Sequence, residues 1–397
     1  MRARGAVPVR APGYNGEGAT SVGFVSTYRP TKCGIATFTE SLRQAMALPG
    51  FERRLEVVSC VDEPGVLEQP PAVVSELVRD SAASLDSAVS ALDEFDVVVL
   101  QHEFGIFGGQ DGRHVVNLVA RLTAPVIVVL HTVLERPSPC QREIIEQLAE
   151  LAEFVVVQSN AARARLLDAH TVERGRVRMI PHGARANLGP ATSSRGSGGR
   201  ATILTWGLIG PGKGIEFMIE ALARLGDLDP PPRYLVLGQT HQRVLEREGE
   251  AYRESLIARA RTLGVGDLVE FDDGYRPTES VLARIRAADI VVLPYRSRDQ
   301  VVSGVLVEAI ASGKPVVATR FPHAIELLGE GSGIVVPHEN PEAIAAALRS
   351  LLTDPALAGR AAAAARSQAK AHNWGTVGRS YRQLAVVAAG VRVRVAN

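Results

Sequence analysis

Five short stretches of this 397-residue sequence combine residue types that handle phosphate and hydroxyl groups. The first, STYRPTKCGIATF (26–38), sets Gly34 just ahead of a helical pattern. Free backbone N–H groups and the helix dipole receive a phosphate at such a place, and an ordinary strand-to-helix turn has the same look. The second and third, QHEFGIFGG (101–109) and LHT (130–132), follow apolar runs and put His102, Glu103 and His131 at one sheet edge. Two histidines, an acid and the Gly108-Gly109 loop suit a polar ligand pocket. A metal is not expected, because no third ligand is suggested and His114 falls inside the next helical pattern. The fourth, TWGLIGPGKGIEF (205–217), places Gly207, Gly210, Gly212 and Gly214 around Lys213. It is neither a Walker loop nor a dinucleotide fingerprint, yet it suits close backbone approach to a diphosphate, with Lys213 as countercharge. The fifth, DQVVSGVLVEAIASGKPVVAT (299–319), holds one acid, Glu308, among apolar and small residues. Read as part of a first helical turn, Val305 to Glu308, led into by Ser303 and Gly304, that acid favours the helix dipole, or it reaches into a cleft and accepts hydrogen bonds from ligand hydroxyls.

These stretches need elements to hold them. From residue 21, short β-branched runs (SVGFVS, LEVVSC, DVVVLQH, APVIVVLH, FVVVQS, RVRMIP) alternate with helical patterns, among them Ile35 to Met46 and Cys140 to Leu151. Continuous apolar strands between helices are the pattern of a parallel sheet covered on both faces. Residues 185–200 are small and polar and read as a linker. A second series follows: ATILTWGLIG, RYLVLGQ, LVEFDD, DIVVLPY, KPVVATR and GIVVP, with helices that include Leu306 to Ser312. The expectation is an α/β protein of two doubly wound, Rossmann-like domains, 21–184 and 201–370, facing each other across a cleft, with ligands beyond the carboxyl ends of the strands.

Composition narrows the function classes. A net charge of +1 carries no footprint for nucleic acid. No apolar run reaches the roughly 18 residues that span a bilayer, so at most a peripheral membrane contact is expected. Residues 1–20 lack the apolar block of a signal peptide and read as a disordered arm. Cys33, Cys60 and Cys140 have no metal-ligand spacing and cannot all pair, which points to a cytoplasmic setting. Asp227 and Asp229 form a D-x-D in the turn GDLDPPP and, like Asp272-Asp273, read as loop residues.

Taken in order, the Gly34 loop, HE, HT, IPHG (180–183), the glycine-and-lysine loop, SGVLVEA and ASGKPVVAT resemble the retaining GT-B glycosyltransferases of family 4, over nearly all of residues 21–385. The resemblance implies hexose transfer, mannose or glucose first, from a nucleotide diphosphate sugar to an acceptor hydroxyl, without a metal cofactor. Gly34, Gly207 and Gly212 would approach the donor. Lys213 would neutralise its diphosphate, and Ser303 with the amides of Gly304 and Val305 would hold the distal phosphate. His131 would contact the transferred sugar, with His102 and Glu103 on the acceptor side. Glu308 would bind the ribose as the second acid of the family's E-x7-E pattern. The last helix, 371–397, would cross back to the first domain. Two departures stand out: Gln300 occupies the place of the first acid, and Leu208 that of an arginine, for which Arg296 or Arg298 are candidate replacements. A non-catalytic sugar-nucleotide binding protein and a phosphorylase on the same scaffold stay open as alternatives. The acceptor is unassigned.

Overall fold

The computed structural model describes residues 20–47, 54–65, 68–189, 199–274 and 276–395. The expected arm, apart from Thr20, and residues 190–198 of the expected linker lie outside them. The first half runs β1 (Val22–Ser26), α1 (Gly34–Met46), β2 (Leu55–Val61), β3 (Val73–Val78), α2 (Ala82–Leu92), β4 (Val97–His102), α3 (His114–Arg121), β5 (Val126–Leu130), α4 (Pro139–Leu151), β6 (Phe154–Val157), α5 (Asn160–Ala169) and β7 (Val177–Met179). The second runs β8 (Thr202–Trp206), α6 (Ile215–Ala223), β9 (Arg233–Leu237), α7 (Gln242–Glu248), α8 (Ala251–Thr262), β10 (Val269–Asp272), α9 (Thr278–Ala287), β11 (Ile290–Leu293), α10 (Gly304–Ala311), β12 (Val316–Thr319), α11 (Pro322–Leu328), β13 (Gly333–Val336), α12 (Pro341–Thr353), α13 (Pro355–Gln368) and α14 (Trp374–Val395).

Apolar runs such as VIVVL and IVVL bury both faces, and this dictates two parallel sheets with helices on each side. The strand orders are β3-β2-β1-β4-β5-β6-β7 and β10-β9-β8-β11-β12-β13. In each sheet the order reverses beside the first strand, between β1 and β4 and between β8 and β11. Loops leaving neighbouring strands in opposite directions open a crevice there. Four of the five chemically suggestive stretches leave those four strands, and the LHT stretch leaves β5 next door. That is why sequence positions hundreds of residues apart meet.

Two differences from the sequence reading have local causes. The edge strand β3 (VVSELV) is only half-buried, so its apolar signal is weak, and with α2 it was not expected. Helix α10 begins at Gly304 with Ser303 as its N-cap, so Glu308 lies in the second turn and no acid occupies the first. Its carboxylate is therefore not placed to favour the helix dipole.

Helix α14 follows the second sheet in the chain but packs on the first. Val377, Tyr381, Leu384, Ala385 and Ala388 share a buried cluster with Phe24, Phe38, Leu42 and Met46. Gly378 permits the approach, since a Cβ there would lie 2.4 Å from the Ala45 carbonyl oxygen on α1. The two connections between the halves run side by side: Ala184 N–H donates to His372 O (2.6 Å) and Trp374 N–H to Ala184 O (3.1 Å). Between the sheets, Ser159 Oγ donates to Val301 O (2.7 Å), Arg165 Nη1 to Asp299 O (2.8 Å), and the Asn160 and Ala161 amides to the Glu326 carboxylate (2.9 Å each).

Candidate active site

The loop after β8 is shaped by backbone it cannot avoid. Gly207 has φ +113°, and a Cβ on it would lie 3.7 Å from Val305 Cγ2 and 3.9 Å from Lys213 Nζ. Gly214 has φ +62°, and a Cβ would meet the Pro294 carbonyl oxygen at 2.0 Å. Both positions require glycine. Arg296 N–H donates to Gly212 O (3.0 Å), tying this loop to the one after β11. The structure thus brings Gly207, Lys213 and Val305 together at the start of α10. Lys213 does have a protein partner, which the sequence reading missed: its ammonium lies 4.3 Å from the Tyr295 ring centroid and 3.2 Å from Tyr295 Oη. Among the described residues it has no carboxylate partner.

At α10, Ser303 Oγ accepts from Leu306 N–H (3.3 Å) and Ser303 N–H donates to His323 Nδ1 (2.8 Å). The first amides of a helix have no intrahelical acceptor, so those of Gly304 and Val305 point outward from the helix start. Glu308 Oε2 accepts from Trp206 Nε1–H at 3.0 Å. Burial raises its pKa, and the indole bond partly offsets the rise. Gln300 donates through Nε2 to Val302 O (3.0 Å), within its own loop.

On the facing sheet, nothing lies within 4 Å of a Cβ built on Gly34, at the start of α1. Protein packing does not demand glycine there. His131 is held on both nitrogens: Nε2–H donates to Gln101 Oε1 (2.8 Å) and Nδ1 accepts from Gln158 Nε2 (3.2 Å). Its ring meets Phe38 edge-on at 4.9 Å. His102 is fully buried between Phe104 and Phe107, with neither ring nitrogen bonded, so this side chain is closed off from an acceptor. Glu103 accepts from Thr132 Oγ1 (2.5 Å) and Phe104 N–H (3.0 Å), and burial raises its pKa. His182, from IPHG, joins the sheets, because its Nε2 lies 3.0 Å from a Cβ built on Gly304.

Of the expected substitutes for the missing arginine, Arg296 is committed elsewhere, to Glu339 (2.9 Å) and Glu216 (3.5 Å). Arg298 is exposed. Asp272 is not an open loop acid: its side chain is 8% exposed and paired with Arg276 and Arg284. Asp227 pairs with Arg349 on the surface. Among the described residues no group of three His, Cys, Asp or Glu is arranged to hold a metal ion, and no helix is long and apolar enough to cross a membrane.

A family model for the glycosyl transferases group 1 matches residues 193–368, which carry the β8 loop, α10 and Glu308. The chain is 29% identical over 287 residues to a D-inositol 3-phosphate glycosyltransferase of Kineococcus radiotolerans, covering 64% of each chain. It is also 29% identical over 249 residues to a GDP-mannose-dependent alpha-(1-6)-phosphatidylinositol monomannoside mannosyltransferase of Mycolicibacterium smegmatis, covering 59% of this chain and 62% of that one. The match therefore spans less than two thirds of either relative. Among solved structures, HepE of Anabaena in complex with UDP shares the fold with a TM-score of 0.73 at 19% identity, over 92% of this chain and 99% of that one. This likeness establishes the GT-B fold: two Rossmann-like sheets with the crevice between them.

Within that fold, the residues the sequence reading missed are Trp206, Tyr295, His182 and His323. Trp206 directly precedes Gly207 and Tyr295 follows β11 after Pro294, which were the available signals. The histidines define an acid limit. Burial lowers His131, His102 and His323 to about 3 and His182 to about 4. Folding holds them neutral, so their contribution is complete above the ordinary histidine range near 6.5 and is lost as pH falls below it. Each then costs up to about 1.4 kcal/mol per pH unit. The melting temperature is expected to drop steeply between pH 6.5 and pH 4.5. A flat profile would show that these imidazoles are charged in the fold.

Proposed function

We propose that this protein is a retaining glycosyltransferase that moves a hexose, mannose or glucose, from a nucleotide diphosphate sugar to an acceptor hydroxyl. The carrying observation is the meeting of Lys213, Gly207 and the outward amides of Gly304 and Val305, beside a Glu308 carboxylate held by Trp206. Cation, open backbone and helix start supply charge and donors for a diphosphate. Glu308 Oε1 then accepts from the ribose hydroxyls. Relatives named for inositol phosphate glycosyl transfer and for GDP-mannose use support the reading, as does a structural neighbour solved with UDP-glucose.

The residues fit a division of labour. Lys213 and the α10 amides stabilise the leaving diphosphate, with no metal required. Gly34 lets α1 approach it from the opposite sheet. His131, locked on both nitrogens, offers the sugar a fixed edge rather than a free base. Gln300 cannot attack as a carboxylate, so retention proceeds by approach of the acceptor on the face the diphosphate leaves, and a phosphate oxygen takes the acceptor proton. Glu103, at the cleft end of β4, faces the acceptor side.

The test is thermal stabilisation by UDP-glucose and GDP-mannose, followed by anomeric analysis of any product by NMR. A donor at 100 times its dissociation constant adds about 2.7 kcal/mol. We expect stabilisation by one of the two and an unchanged anomeric configuration. An inverted product removes the retaining assignment, and clear binding without turnover towards any acceptor hydroxyl favours a non-catalytic sugar-nucleotide binder.

A further inference from the structure

We propose that Arg243 is a phosphate-binding residue of the cleft, supplying from a neighbouring loop the cation that is missing at Leu208. The inference rests on the glycosyltransferase reading above and adds to it a ligand-binding residue outside every motif noted in the sequence.

Three observations carry it. First, the loop after β9 is bound to the loop after β8 by backbone alone. Ile209 N–H donates to Gln239 O (2.8 Å), and His241 N–H donates to Ile209 O (2.8 Å). Gly238, at φ +139°, lies so close that a Cβ would meet the Gly207 carbonyl oxygen at 2.0 Å. The Gln239–Arg243 segment therefore has a fixed position beside Leu208, whose apolar side chain brings no charge there. Second, the Arg243 guanidinium crosses the cleft. Nη2 lies 3.4 Å from Gly105 O, in the loop that follows Glu103 on the opposite sheet. Third, the cation is uncommitted: among the described residues Arg243 has no carboxylate within ion-pair distance, and the long bond to Gly105 O is its one side-chain hydrogen bond. Most arginines around it are paired, Arg253 with Glu250 and Arg296 with Glu339 among them.

The neighbourhood is cationic on the donor side. His241 accepts the Arg243 amide at Nδ1 (3.2 Å), and burial first, then Arg243 and Lys213, hold it towards neutrality. Two permanent cations, Lys213 and Arg243, thus flank one loop junction; from the other sheet Glu103 faces Arg243, and Arg79 donates to the same Gly105 carbonyl (2.9 Å). Two unneutralised cations at a cleft suit a multiply charged anion, and the planar guanidinium suits phosphoryl oxygens. A phosphoryl group at this place has two sources, the diphosphate of the donor or a phosphate on the acceptor.

Calorimetric titration separates them. UDP, GDP, UMP and GMP are titrated into the parent and Arg243→Ala, and inorganic phosphate into each after saturation with the tighter diphosphate. Arg243 is exposed, so unchanged melting of the variant is expected. If the donor supplies the group, Arg243→Ala weakens the diphosphate about tenfold to a hundredfold and the monophosphate little, as expected for one charge-assisted bond. Arg243→Lys then restores part of the affinity, and Leu208→Arg added to Arg243→Ala restores more. If the acceptor supplies it, diphosphate binding is unchanged, and the variant loses the inorganic phosphate binding that the loaded parent shows. The inference is overturned if the variant matches the parent in both arms. That result leaves the glycosyltransferase reading standing when Lys213→Ala still loses diphosphate binding. A parent that binds neither UDP nor GDP overturns both.

Discussion

Replacing Lys213 with alanine is expected to weaken binding of UDP or GDP by about 10- to 150-fold while leaving the fold almost as stable. The ammonium sits over the Tyr295 ring, with its nearest hydrogen-bond acceptor, Tyr295 Oη, at 3.2 Å. Its protein contacts are thus a cation–π interaction and one long hydrogen bond to a neutral hydroxyl, together on the order of 1 kcal/mol. A charge-assisted bond to a diphosphate contributes about 1.5 to 3 kcal/mol, which gives the larger effect on binding. Titration calorimetry beside thermal melting separates the two. Diphosphate affinity equal to the parent's would remove Lys213 from the donor site, and a large loss of melting temperature with unchanged affinity would make it a structural residue.

Glu308→Ala is expected to raise the donor KM about 30-fold or more and to change kcat only a few-fold. A carboxylate that holds the ribose binds donor and transition state alike, so removing it lowers uniform binding. Two hydrogen bonds to a charged acceptor set the size of the loss. The variant also leaves the buried Trp206 indole N–H without its 3.0 Å acceptor, a cost to stability of about 1 to 3 kcal/mol. Trp206→Phe removes the indole bond but keeps the carboxylate, so its donor KM should move far less. Because burial raises the Glu308 pKa, lowering the pH protonates it earlier than an ordinary glutamate, and the donor KM of the parent should climb correspondingly early. A fall in kcat with KM unchanged would place Glu308 at the reacting carbon instead.

Much of this site was legible in the chain. The glycines at 207 and 214, the lysine between them and the acid at 308 all lie in or beside strand-to-helix connections. In a doubly wound sheet those connections must emerge at the ligand edge, because parallel strands put every carboxyl end on one side. The continuous valine and isoleucine runs made the strands readable without any knowledge of their neighbours. Helix starts were less well defined. Ser303 caps α10 so that it begins at Gly304, one or two residues earlier than the apolar pattern suggested, and this moved Glu308 from the first turn to the second.

What the tertiary structure alone decided is which side chains face one another. No spacing indicates that Trp206 would donate to an acid 102 residues away, that His182 would abut Gly304, or that Arg243 would reach Gly105 across 138 residues. The same holds for His102, which reads as a pocket residue from its place at the end of β4 and is enclosed by Phe104 and Phe107 once the helices pack. A strand's carboxyl end is a property of local sequence, since apolar periodicity and a following glycine create it. The partner of a side chain at that end depends on sheet order, on loop-to-loop backbone pairing such as Ile209 with Gln239 and His241, and on which face of the sheet the residue occupies. Those are long-range consequences of burying both sheets at once, and they exist only in the folded chain.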